Sequence, residues 1–165
     1  MQTKEATVSG RGLVTSSWDL LVTAAILETK PNWVIQVGAR SMLSILFSGY
    51  ILDQIGGDLH SVIGVVNNGE NLPQKRNVYF LEGNPLDPSM PELIKKWIRP
   101  KDKVMVILQD GLKARPIVEI QTYAPLVTEG CYLVMDEGVD AFVRKHITFE
   151  PDWIMPKPQI YLRKR

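Results

Sequence analysis

Cysteine is almost missing from this chain: Cys131 stands alone among 165 residues. A lone cysteine excludes an intrachain disulfide and CxxC-type zinc sites. Set in the apolar run Cys131-Tyr132-Leu133-Val134-Met135, it reads as a small buried hydrophobe. Histidine is scarce too. His60 precedes a strand and His146 lies in the C-terminal segment, so both read as structural or solvated. No G-x-S-x-G elbow and no phosphate-binding P-loop pattern occurs. An excess of one charge is also missing. The net charge of +1 provides no general attraction to phosphate backbones or anionic membranes. Trp18, Trp33, Trp97 and Trp153 have no basic stripe beside them, which speaks against base stacking. Neither nucleic acid nor a membrane is therefore expected as a partner. The longest apolar-rich run, Met42 to Leu52, is 11 residues, too short to span a bilayer. Met1 to Gly12 is polar and unlike a signal peptide, so a cytoplasmic location is expected.

What is present is an ordinary globular composition, 45% apolar and 22% charged. Residues 1–15 read as an extended or mobile lead, and 16–165 as one domain. Ser16 and Asp19 have the spacing of a helix start, and Pro31 stops that helix near Lys30. Trp33 to Val37, closed by Gly38, reads as a buried strand. Ser41 to Asp53 reads as a helix apolar nearly all round, which predicts cover on more than one side. Further strands are predicted at 61–66, 78–81, 103–108 and 132–135, with helices at 91–98 and 116–123. Pro151, Pro156 and Pro158 discourage regular structure near the C-terminus, where Ile160-Tyr161-Leu162 is expected as an edge strand. Near-continuous apolar strands alternating with helices predict an α/β domain, three layers deep, with a mostly parallel sheet and helices on both faces. Ligands of such sheets sit beyond the carboxyl ends of the strands. That rule singles out Gly38, residues 66–68, Glu82 to Asn84, residues 109–111, and Asp136-Glu137.

Three stretches carry a family resemblance. They are Ile26-Leu27-Glu28-Thr29-Lys30-Pro31 leading into Val34-Ile35, Leu81-Glu82-Gly83-Asn84-Pro85-Leu86-Asp87-Pro88, and Glu119 through Tyr123-Ala124-Pro125-Leu126-Val127 to Gly130-Cys131-Tyr132-Leu133-Val134. Together they resemble the cephalosporin hydroxylase and rhamnosyl O-methyltransferase family, which has the Rossmann-like class I S-adenosylmethionine (SAM) methyltransferase fold. The resemblance implies a SAM site built on Gln36, Gly38, Ser44, Asn68 and Glu82. It also implies a divalent-metal site, for Mg²⁺ or Ca²⁺, at Asp110, Asp136 and Glu137, where hard oxygen ligands suit such cations.

Several positions depart from the family pattern. Gln36 stands where the family has an acid, and Met42 and Leu43 stand where it has glycines. Val66 and Asn68 stand where acids that hold ribose hydroxyls are expected. Gly111 replaces the histidine that follows the metal-binding Asp, leaving Lys113 as the substitute base; its ordinary pKa of about 10.4 would have to fall far. The competing explanation for the three carboxylates is that they are solvated acids at loop starts. Two functions follow. One is a non-catalytic or repurposed scaffold with a weakened SAM site, acting in a homo-oligomer or larger protein complex. The other is an active, metal-assisted O-methyltransferase acting on a small hydroxylated molecule.

Overall fold

The computed structural model describes residues 16–38, 42–56, 59–69, 71–109, 116–146, 148 and 152–163. The expected lead over 1–15 lies outside them.

Helix α1 (Ser17–Thr29) begins where the sequence predicts, in a reciprocal cap. The Asp19 N–H donates to Ser16 Oγ at 3.1 Å, and the Ser16 N–H donates back to Asp19 Oδ2 at 3.1 Å. It ends at Lys30, left-handed at φ 47°, directly before Pro31. The chain then alternates through β1 (Trp33–Val37), α2 (Met42–Gly56), β2 (Ser61–Val66), β3 (Val78–Glu82), α3 (Ser89–Lys95), β4 (Val104–Leu108), α4 (Pro116–Tyr123) and β5 (Tyr132–Met135). It closes with α5 (Glu137–His146), β6 (Trp153–Lys157) and β7 (Ile160–Arg163).

The seven strands form one sheet in the order β3-β2-β1-β4-β5-β7-β6. The first five are parallel, and β7 pairs antiparallel to both β5 and β6. Alternate side chains serve opposite faces. Val34, Val62, Met105 and Val134 meet α1 and α2 through Ile26, Ile45 and Leu52. Ile35, Ile63, Val106 and Leu133 meet α3, α4 and α5 through Ile94, Ile120 and Val143. This is the expected three-layer α/β architecture.

Three elements differ from expectation. Ile160-Tyr161-Leu162 is no edge strand: β7 lies between β5 and β6. Pro156 does not prevent β6, because it falls in the register irregularity between Ile154 and Lys157 on the outermost strand, where proline is tolerated. Helix α5 was not anticipated, although Val139 and Val143 recur at helical spacing and both are buried. Helix α2 is covered by α1 and the sheet, yet Leu43 remains 73% and Tyr50 60% exposed.

Candidate functional site

The parallel ladder delivers five loops to one rim. Backbone bonds carry it one residue past each strand: the Gln109 N–H donates to Val37 O (3.0 Å), Asp136 N–H to Leu108 O (3.0 Å), and Gly83 N–H to Val66 O (2.9 Å). Gly38 leaves β1 at φ 70°, a left-handed turn that glycine adopts without strain. Two of the expected metal ligands, Asp136 and Glu137, thus stand on the same rim as the expected SAM residues. The other ligand, Asp110, and the candidate base Lys113 lie outside the described residues.

A cleft of about 570 Å³ opens on this rim between the start of α1 and α2. Its walls include Trp18, Leu43 and Phe47; its polar groups include Ser44, Gln109, Asp136, Glu137 and Gln159. The structure therefore brings Ser44, Asp136 and Glu137 together. Asn68 and Glu82 belong to the β2–β3 part of the rim, where both are exposed and the Glu82 carboxylate lies over Gly69.

Beneath the cleft runs a neutral polar network. Gln36 is 1% exposed, and its Nε2 donates to Ser44 Oγ and to Gln109 Oε1, both at 2.9 Å. Its Oε1 accepts from Ser48 Oγ at 3.0 Å. Ser44 Oγ donates in turn to Gln109 Oε1 at 3.1 Å. Both ends of the Gln36 amide are engaged inside the protein, as a buried amide requires. Gln36 is thus a floor beam under Ser44 and Gln109 rather than a group facing the cleft.

Asp136 has a structural duty. Its Oδ1 accepts the Val139 N–H at 2.9 Å, capping α5, and its carbonyl accepts the Asp140 N–H at 2.9 Å. Glu137 opens the same helix and is exposed. Both carboxylates suit the positive end of a helix dipole without any cation. No group of three or more His, Cys, Asp or Glu side chains that could hold a metal occurs among the described residues. Asp136 and Glu137 could supply one or two of the oxygens around Mg²⁺, which usually keeps several waters; Asp136 Oδ1 is at the same time engaged as a cap. The fit to SAM is also partial. The Gly38 turn admits a close backbone approach, but positions 66 and 68 after β2 are Val and Asn, and the carboxylate beside that stretch among the described residues is that of Glu82.

Sequence reasoning missed Gln159 as a cleft residue and Ser48 as a partner of Gln36. Gln159 depends on a β6–β7 hairpin that the prolines obscured. Ser48 was visible only as the residue one turn beyond Ser44 on α2.

A search by sequence against curated proteins finds no match. Solved structures do match in fold. The chain is similar to the apo structure of CmcI-N160, with a TM-score of 0.68 at 13% identity over 99% of this chain and 87% of that one. It is similar to apo CalS11, a TDP-rhamnose 3'-O-methyltransferase, with a TM-score of 0.61 at 16% identity over 89% and 78%. It is also similar to the MycE methyltransferase in complex with Mg, SAH and mycinamycin VI, with a TM-score of 0.57 at 12% identity over 86% and 43%. The family model described as rhamnosyl O-methyltransferase/CmcI matches residues 2–160. With that match spanning nearly the whole sequence, and the fold shared with the CmcI and CalS11 structures, the chain belongs to the rhamnosyl O-methyltransferase/CmcI family of class I SAM-dependent methyltransferases.

Proposed function

We propose that this family member has a weakened SAM site and acts as a non-catalytic or repurposed scaffold in an oligomer or complex. The supporting observation is the fate of Gln36. The position that the family resemblance assigns to an acid holds an amide whose donor and acceptor are both consumed by Ser44, Gln109 and Ser48. Asn68 and Val66 weaken the ribose side in the same sense. Losing a charge-assisted hydrogen bond costs about 1.5–3 kcal/mol, roughly ten- to a hundredfold in affinity.

The cleft favours a second reading. Asp136 and Glu137 lie side by side with Ser44 in a space of about 570 Å³, large enough for a small hydroxylated molecule. On that reading the protein is an O-methyltransferase, and Asp136, Glu137 and Asp110 hold a divalent cation that favours the deprotonated acceptor oxygen.

Isothermal titration with SAM and with SAH, each with and without Mg²⁺, separates the two. The scaffold reading expects millimolar affinity or no heat, unchanged by Mg²⁺. Micromolar SAM binding strengthened by Mg²⁺ would establish the enzyme reading instead.

A further inference from the structure

Gln109 lines the cleft although it is only 6% exposed. Its Oε1 is committed inside the protein, accepting from Gln36 Nε2 at 2.9 Å and from Ser44 Oγ at 3.1 Å. The direction of that amide is fixed from below. Gln36 Nε2 carries two N–H groups and has two acceptors in reach, Ser44 Oγ and Gln109 Oε1. The other end of the Gln36 amide meets Ser48 Oγ alone among the described residues. Turned round, Gln36 would leave a buried N–H without an acceptor, which a buried amide avoids. With Gln36 held so, Gln109 Oε1 faces it and Gln109 Nε2 faces the opposite way. Among the described residues nothing accepts from that Nε2. Nor is the atom sealed in, since the sealed side-chain atoms without a partner are Asp53 Oδ1 and Asn77 Oδ1. Its two N–H groups therefore open on the cleft.

The neighbours of Gln109 choose what it binds. β4 and β5 run with Leu108 beside Met135, so the next residues, Gln109 and Asp136, stand side by side on the rim. Asp136 and Glu137 line the same cleft, and ionised carboxylates only accept. A group that accepts from an amide and donates to a carboxylate is a hydroxyl. Asp19, Asp136 and Glu137, with no Lys, Arg or His among the described lining residues, disfavour an anion. Trp18, Leu43 and Phe47 present an apolar wall with two aromatic rings.

We infer that Gln109 is the recognition residue of the cleft. Its Nε2 donates to the hydroxyl oxygen of an uncharged, phenol-type ring compound, and that hydroxyl donates in turn to Asp136 or Glu137. The inference rests on the cleft being a small-molecule site, as the second reading has it, and needs neither SAM nor a cation.

Titration of the ¹⁵N-labelled full chain with para-cresol, without SAM or Mg²⁺, tests it by NMR. The Gln109 side-chain amide resonances should shift and saturate in the millimolar range. Para-methylanisole, whose oxygen has no proton to give, and the anion para-toluate should each bind about tenfold more weakly or not at all. Gln109→Glu keeps an oxygen for Gln36 and Ser44 and turns an acceptor towards the cleft. Checked for folding by circular dichroism, it should weaken para-cresol about tenfold or more. Wild-type Gln109 amide resonances that do not move with para-cresol would overturn the inference. So would a folded Gln109→Glu variant that binds para-cresol as the wild type does, or para-toluate binding as tightly as para-cresol. The SAM titration above decides the enzyme reading separately, so either can fail without the other.

Discussion

At the scale of single residues, Asp136 shows how one carboxylate serves two readings. As the cap of α5 it accepts the Val139 N–H. Asp136→Ala should cost about 1 kcal/mol of stability. Asp136→Asn keeps an acceptor oxygen and should change stability by only a few tenths of that. Urea denaturation of both variants checks the cap. Any Mg²⁺-dependent heat on SAM titration would disappear in both, so the asparagine variant separates the cap from a cation. The acids at 136 and 137 were legible in the sequence because they directly follow an apolar strand. Their role as the first turn of a helix was not, because Asp136 caps through the backbone of Val139, and that contact exists only once α5 forms. Gln36 was legible as a departure from the family pattern. Its partners were not: Gln109 is 73 positions away in the chain and bonds to it across the sheet.

Among the elements, helix α2 and the strands beneath it are held at close range by glycines. A Cβ at Gly49 would come within 2.5 Å of Val78 Cγ2 and 3.3 Å of Asn77 Oδ1. The Asn77 amide also donates to the Gly49 carbonyl at 2.9 Å, tying α2 to the entry of β3. Gly49→Ala would gain helix propensity of about 1 kcal/mol, but overpacking costs about 1–3 kcal/mol. A net loss of stability is expected in denaturant unfolding. Gly138→Ala provides the control, since a Cβ there meets nothing nearer than Asp136 Oδ1 at an ordinary 3.6 Å. That variant should be neutral or slightly stabilising. Element type followed from periodicity for α1, α2 and the five parallel strands. It failed at β6 and α5. The weight given to Pro151, Pro156 and Pro158 hid the strand, since proline is harmless on an outer edge and sequence alone does not say which strand is outermost.

Across the whole molecule, buried tyrosines couple stability to alkaline pH. Tyr161 donates to Asp140 Oδ1 at 2.7 Å, while Arg144 Nε donates to Asp140 Oδ2 at 2.8 Å. Burial, and then the Asp140 carboxylate, push the Tyr161 hydroxyl far above the ordinary tyrosine range. Burial, and then Glu119, do the same at Tyr123, whose hydroxyl donates to Pro85 O at 2.7 Å. Tyr132 is pushed up to about 12 by burial and then by Glu28. The folded chain keeps these protons where the unfolded chain releases them, near pH 10. Their contribution is complete below that point and is lost as pH rises from there through the folded values. Denaturant midpoints measured between about pH 9 and about pH 11 should fall progressively, and Tyr161→Phe should have a shallower slope. A profile flat across that window would contradict the assignment. No helix among the described residues is long and apolar enough to cross a membrane, in line with the short apolar runs of the sequence.

The order of amino acids by itself determined where α1 begins and stops, which strands are apolar throughout, and hence a covered parallel sheet with its loops on one rim. These properties depend on neighbours a few positions apart: the Ser16–Asp19 cap, Pro31, the run from Val104 to Leu108. Tertiary structure alone decided that β7 lies inside the sheet, that Gln36 turns inward to Ser44 and Gln109, and that β3 stands at one end of the sheet. Each of those depends on which distant segments come to lie side by side, and that is settled by packing two apolar faces at once, not by any local pattern.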